Sequence, residues 1–286
     1  MRKYTERVMK YVFLAAACTA ILAVLLICIF LFGSGIPAIH KIGWLEFLGG
    51  RDWSPTDDPA SFGILPMILG SFCVTGGAII VGVPIGILTA VYMAKYCPKP
   101  LYRVLKPATE LLAGIPSIVY GFFGLMLLVP IVRSLFGGSG SSILTASVVL
   151  GIMILPTIIG VAESAIRSVP DSCYEGARAL GADHERSIFC AVLPAAKSGI
   201  LAGVVLGIGR AIGETMAVIM VAGNQARMPA GILKGIRTLT ANIVMEMGYA
   251  ADLHREALIA TGVVLFILIL VINLIFTLIQ RGGKKS

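Results

Sequence analysis

Long apolar runs separated by short polar segments organise this chain from end to end. Six runs reach the roughly 20 residues that a helix rising about 1.5 Å per residue needs to cross a hydrocarbon layer of about 30 Å: 11–32, 64–94, 108–132, 142–163, 199–223 and 257–279. The pattern predicts an all-α membrane protein with six transmembrane helices. Its parts are a tail (1–10), a first helix (11–32), an extracytoplasmic loop (33–63), a five-helix core (64–279) that includes a polar hairpin (164–198), and a second tail (280–286). The first run exceeds the roughly 7–15 apolar residues of a cleavable signal and is read as a retained helix. Pro66, Pro84, Gly76, Gly77 and Gly82 predict that the second run bends or starts in the interface.

Composition agrees with this pattern. The chain is 57% hydrophobic and only 13% charged, with mean hydropathy +0.94, too little charge to cover the surface of a soluble domain of this length. The net charge of +8 does not point to nucleic acid, because Lys and Arg gather at the ends of apolar runs rather than in a stripe interleaved with aromatics. With the N-terminus inside, inner segments hold fifteen Lys and Arg and outer ones seven, Arg210 being the remaining one of the 23. That bias predicts that both termini face the cytoplasm and that the partner along the spans is membrane lipid. Trp44 and Trp53, in the first outer loop, are predicted to be interfacial anchors.

Several chemistries have no residues to carry them. No GxxxxGK[ST] phosphate loop occurs, so the chain is expected to have no ATPase site of its own. His40, His184 and His254 lie outside the runs and no HExxH exists, which argues against an intramembrane hydrolase and a metal site. The six cysteines show no CxxC spacing and read as small apolar fillers. No cofactor is expected. Gly203 with Gly207, and Gly209 with Gly213, read as small residues that let helices approach closely.

The polar segment ESAIRSVPDSCYEGARALGADHERSIFCAVLPAAKSG, beginning at Glu163, predicts two helices around Gly181. Pro170 and Asp171 suit the start of the first, Gly181 a left-handed stop, and Asp183 a cap for the second. Ile188, Phe189, Val192 and Leu193 would form an apolar face, and Pro194 an end or a kink. By spacing alone such a hairpin either covers neighbouring helix ends or inserts into a partner's groove.

The segment LGIGRAIGETMAVIMVAGN places Arg210 and Glu214 inside the fifth run, where each charge costs at least about 2.5–3.5 kcal/mol. At i and i+4 of one helix they would share a face. They then either neutralise each other, or pair with a neighbouring subunit, or serve as an anion gate. In the gate, Glu214 holds Arg210 while the path is empty and releases it when an oxyanion arrives, Arg210 receives the oxyanion bidentately, and Thr215 adds a hydroxyl. Glu110 and Glu163 are explained by interfacial positions, and Pro116, Pro130 and Pro156 by helix kinks.

Glu175-Gly176-Ala177, Gly181 after three intervening residues, and Leu193-Pro194 resemble the EAA loop of ABC importer permeases, from which this chain departs at Gly176 and Ala191. GRAIGETMAVIMVAGN, FGILPMILGS, IPSIVYGFFG and RTLTANIVMEM resemble the PstC-type permease family of high-affinity phosphate importers. The resemblance implies the type I, MetI-like permease fold and ATP hydrolysis on another chain that docks on Glu175, Gly176, Ala177, Gly181, Leu193 and Pro194. It implies a phosphate path at Arg210, Glu214 and Thr215. It also implies three partners: a PstA-type second permease, a cytoplasmic PstB-type ATPase dimer and an extracytoplasmic PstS-type phosphate-binding protein. A permease for phosphonate, sulfate or molybdate, and a passive anion channel, are the alternatives.

Overall fold

A computed structural model describes residues 2–282; Lys284 and Lys285, counted above among the inner charges, lie outside it. Among the described residues six helical stretches are long and apolar enough to cross a membrane: Val8–Ile42, Leu65–Tyr96, Ser117–Phe136, Ile143–Arg167, His184–Gly213 and Asp252–Leu278. Each overlaps a predicted run, but two boundaries move for physical reasons. The third run is split. Residues Lys99–Gly114 form a separate amphipathic helix (α4), Ile115 and Pro116 are extended, and the span starts afresh at Ser117. The fifth span begins as early as His184 and breaks at Glu214, well before the expected end at 223.

The chain order is as follows. A long α1 (Arg2–Ile42) is followed by α2 (Trp44–Gly49) and a two-stranded hairpin, β1 (Trp53–Ser54) and β2 (Ser61–Phe62), with Trp53 opposite Phe62. Then come α3 (Leu65–Val91), α4, α5 (Ser117–Phe123), α6 (Val129–Phe136) and α7 (Ile143–Arg167). The hairpin helices α8 (Asp171–Ala179) and α9 (His184–Ser187) precede α10 (Leu193–Gly213), α11 (Met216–Val221), α12 (Leu239–Glu246) and α13 (Asp252–Gly282).

The core is built around α7. Its Val149, Leu150, Met153, Ile154 and Ile158 are all buried. Helix α3 runs unbroken through its glycines, with Pro66 in its first turn and Pro84 inside it, and the glycines let α7 come close. A Cβ on Gly77 would lie 2.2 Å from the Ser147 hydroxyl. On the other side of α7, Gly207 of α10 leaves room for Ile158. Of the two predicted small-residue pairs, Gly203 and Gly207 make this contact, whereas Gly209 and Gly213 face open space. The second half of α1 packs on α13 where Phe32 meets Phe266 edge-on at 5.7 Å.

Three wide, π-helical turns each lie just ahead of a proline. They span Tyr92–Tyr96, Gly124–Leu128 and Ile188–Val192, and prolines follow at Pro98, Pro130 and Pro194. Proline has no N–H and its ring clashes with the carbonyl four residues back. In each case the residue just before the proline donates five residues back instead: Cys97 to Tyr92, Val129 to Gly124, and Leu193 to Ile188. Pro194 therefore neither ends nor sharply breaks the helix, which runs on from His184 to Gly213.

In the loop after α2, Trp53 is not an interfacial anchor. It is buried, and its Nε1 donates to Glu246 Oε2 at 2.8 Å, while Trp44 remains about half exposed. Glu246 also accepts from Arg237 and, at 2.9 Å, from His254 Nε2. Arg237 reaches the Asn224 carbonyl at 3.1 Å as well. One buried carboxylate thus ties the first loop, the 224–237 loop, α12 and α13 together, and its donors satisfy the charge that burial would otherwise leave exposed to a low dielectric.

Candidate functional site

The charged segment of the fifth span folds differently from a continuous helix. Helix α10 stops at Gly213, Glu214 is extended with ψ 134°, and α11 restarts at Met216. Arg210 and Glu214 consequently do not share a helical face. The Glu214 carboxylate turns to the N-terminus of α11 and accepts from the Ala217 amide at 3.1 Å. Its carbonyl accepts from the Thr240 hydroxyl of α12 at 2.9 Å. The break is therefore fastened from both sides, by a carboxylate cap on the positive end of α11 and by a hydroxyl on an orphan carbonyl. Thr215 donates to the Gly213 carbonyl at 3.3 Å.

Arg210 lies in the last turn of α10, where the negative helix end favours a cation. Its Nη1 donates to the Thr157 hydroxyl of α7 at 3.3 Å. Among the described residues no carboxylate lies within 4 Å of the guanidinium. Mutual neutralisation of Arg210 and Glu214 is thus not what this structure shows. A half-buried guanidinium with five donors and one neutral protein partner can grip a planar or tetrahedral oxyanion with two parallel hydrogen bonds. Thr157 was not singled out by the sequence. A threonine beside Pro156 in an apolar run carries little signal until the fold sets it against Arg210.

The hairpin takes the predicted form. Helix α8 ends at a Gly181 with φ +88°, and Asp183 caps the second helix by accepting from Arg186 N at 2.7 Å. The Tyr174 hydroxyl and His184 Nδ1 share a hydrogen bond of 2.7 Å that clips the two arms. The predicted apolar face is divided. Ile188 and Val192 are buried against Ala90, Ala162 and Ile166, whereas Phe189 and, at the tip, Leu180 are exposed. Glu175, Gly176 and Pro194 are exposed, and Ala177 and Leu193 are half-buried. A concavity of about 350 Å³ lies between the arms, lined by Ala177, Leu180, Gly181, Arg186 and Cys190.

Glu163 is not an interfacial residue. It is 1% exposed, and it accepts from Lys106 Nζ at 2.8 Å, from the Tyr102 hydroxyl at 2.9 Å and from Arg167 Nε. Arg167 also covers the Tyr102 ring at 4.2 Å and donates to the Met93 carbonyl at 2.8 Å. Lys106 is held above the ordinary lysine range by its hydrogen bond to Glu163, against a smaller opposing effect of burial. Burial, followed by the bond to Glu163, raises the Tyr102 phenol.

Comparison with known proteins places these features in context. Residues 82–284 match the family described as "Binding-protein-dependent transport system inner membrane component". The chain is 39% identical to the "Probable ABC transporter permease protein YqgH" of Bacillus subtilis, over 93% of this chain and 87% of that protein. It is 35% identical to the "Phosphate transport system permease protein PstC" of Mesorhizobium japonicum, over 85% and 80%. Among solved structures, a bacterial alginate ABC transporter in complex with a pentasaccharide-bound periplasmic protein contains a chain of similar fold. The TM-score is 0.63 with 17% identity, over 95% of this chain and 96% of that one.

Proposed function

This chain belongs to the family of binding-protein-dependent inner membrane transport components, and on that premise we propose that it forms half of the translocation path for inorganic phosphate in an ATP-driven importer. It is a multi-pass membrane permease subunit rather than an enzyme, and it works with a substrate-binding protein, an ATPase and a second permease. In this reading the partners are of the PstA, PstB and PstS types, both termini are cytoplasmic, and phosphate passes Arg210, Glu214 and Thr215. The likeness to a PstC protein named above supports the choice of phosphate.

The observation that carries the reading is the Arg210 guanidinium, placed in an apolar bundle with a single neutral hydrogen bond. A charge so placed is costly unless it meets a partner that comes and goes. Glu214, in the same break but bonded elsewhere, keeps negative charge near the path and holds anion binding weak enough for release. The exposed Leu180 and Phe189 give the hairpin apolar knobs for the ATPase. ATP-driven closure of the ATPase dimer moves the hairpins, and the bundles alternate between outward and inward access.

The test is uptake of labelled phosphate by the complete importer in vesicles, with and without ATP and with competing anions. ATP-dependent uptake that excess phosphate suppresses, and excess sulfate or molybdate does not, is expected. Suppression by another oxyanion but not by phosphate would reassign the substrate. Anion flux through this chain alone, without ATP, would make it a channel.

A further inference from the structure

The hairpin and the Arg210–Thr215 break lie at different places in the fold, and the structure offers a continuous series of contacts between them. It begins at Glu163. Helix α4 has no fully buried residue, and only Tyr102, Leu105, Lys106 and Thr109 are half-buried, so its attachment to the body leans on specific polar contacts. Those contacts are Tyr102 and Lys106, both on Glu163. Glu163 is on the last turns of α7, four residues from Arg167 and just ahead of the first hairpin helix. The same arginine holds the Met93 carbonyl in the wide turn that ends the second span.

Helix α4 continues through the extended Ile115–Pro116 elbow into α5. The Tyr120 hydroxyl donates back across that elbow to the Leu112 carbonyl at 2.8 Å, which fixes the angle between α4 and α5. Helix α5 and the wide turn that follows it then press on α11: a Cβ on Gly121 would lie 2.8 Å from the Ala217 Cα, and one on Gly124, in that turn, 2.8 Å from Val221. Ala217 is the residue whose amide the Glu214 carboxylate holds.

We propose that Glu163 is a positioning residue that couples the ATPase-docking hairpin to the Glu214 break, with α4 and α5 as the connecting strut. A buried ionic cluster is a poor source of stability compared with apolar packing of the same volume. It is well suited to holding an otherwise unburied helix in one orientation, because removing any single donor leaves charge unmatched. Ile188 and Val192 pack against the same end of α7 through Ala162 and Ile166, so displacement of the hairpin reaches Glu163 through a rigid contact. The proposal rests on the reading of the hairpin as the docking site, and it holds for whichever anion is carried.

The experiment uses the complete importer with native cysteines replaced by serine and a reporter Met216→Cys, at the exposed first residue of α11. Labelling by a water-soluble maleimide is timed with and without a non-hydrolysable ATP analogue, and labelled-phosphate uptake is recorded separately. In the parent, nucleotide should change the labelling rate at least tenfold. With Glu163→Gln the change should fall below twofold while the ATPase still co-purifies. Should Glu163→Gln fail to assemble, Tyr102→Phe removes one hydroxyl and leaves both ion pairs, and it should reduce the nucleotide effect about threefold. Tyr120→Phe should act in the same direction and add nothing to Glu163→Gln, as expected for residues in one series. A nucleotide effect that survives these substitutions at full size overturns the proposal, and so does a parent with no nucleotide effect. Loss of phosphate uptake in the parent with the nucleotide effect intact would instead count against the substrate assignment.

Discussion

Arg210 and Glu214, four residues apart in an apolar run, turn away from each other: the arginine binds the Thr157 hydroxyl at 3.3 Å and the glutamate binds the Ala217 amide at 3.1 Å. The chain breaks between helices α10 and α11 and so separates two charges that a continuous helix would have paired. The separation leaves a cation free to take an anion and a carboxylate fixed nearby.

Arg210→Lys should lower phosphate uptake by the complete importer by at least about tenfold while co-purification of its partners is unchanged. A lysine keeps the charge but offers a point instead of a fork. Uptake at the wild-type rate in this variant would remove Arg210 from the path.

Glu214→Gln should lower KM and kcat together. The amide still caps α11 through its oxygen, so local structure persists, but the negative charge that aids release is gone. Initial-rate uptake over a range of phosphate concentrations separates the two constants.

Gly77→Val should abolish folded yield, because even a Cβ at this position would lie 2.2 Å from Ser147 Oγ, and overpacking of a closed contact costs about 1–3 kcal/mol or more. Gly209→Ala, where nothing lies within 4 Å, should leave the thermal midpoint in detergent unchanged or raise it, since alanine favours a helix by about 1 kcal/mol over glycine. Equal loss of yield in both would contradict the packing described around α7.

Trp53→Phe removes the indole donor from buried Glu246 and should cost about 1–3 kcal/mol, the usual penalty for an acceptor deprived of one partner. The expected readout is a lower thermal midpoint, together with faster proteolysis of the 33–63 loop.

Lys106 has a raised pKa, caused chiefly by its hydrogen bond to Glu163. A raised cation contributes stability that is complete below its unfolded value, 10.5, and is lost only as pH rises through the higher folded value. Tryptic cleavage at Arg103 of α4, scaled to the protease's activity on a small substrate at each pH, should therefore be equally slow in wild type at pH 7 and pH 9. Lys106→Met should speed it several-fold at both.

The six spans and the hairpin were legible because their signals are local. Twenty apolar residues have few alternatives in lipid, and Gly181 and Asp183 act on their own turns. The break at Glu214 was not legible, since Gly213 and Thr215 end a helix here only with Thr240, 26 residues away in sequence, holding the freed carbonyl. The split of the third run was hidden for a related reason. Apolar residues on both sides of Ile115–Pro116 conceal that α4 alternates faces, and only Tyr102 and Lys106 on Glu163 show which face is inward. Trp53 and Glu163 read as interfacial from sequence because a polar group near a membrane boundary gives no sign of distant partners such as Glu246 and Lys106. For Arg210, Glu214 and Thr215 the sequence shows the residue types, and the fold sets directions that spacing on an ideal helix does not.

The wide turn at Ile188–Val192 bears on Arg210 in a way its distance conceals. One surplus residue in a helix shifts the azimuth of all that follows by about 100° relative to what precedes it. Counted from the hairpin, the compass bearing of the guanidinium is therefore set by a turn eighteen or more residues upstream, just ahead of a proline that forbids the tighter winding. Deleting a residue between 196 and 204, where the winding is regular, would swing Arg210 off Thr157 by that same angle.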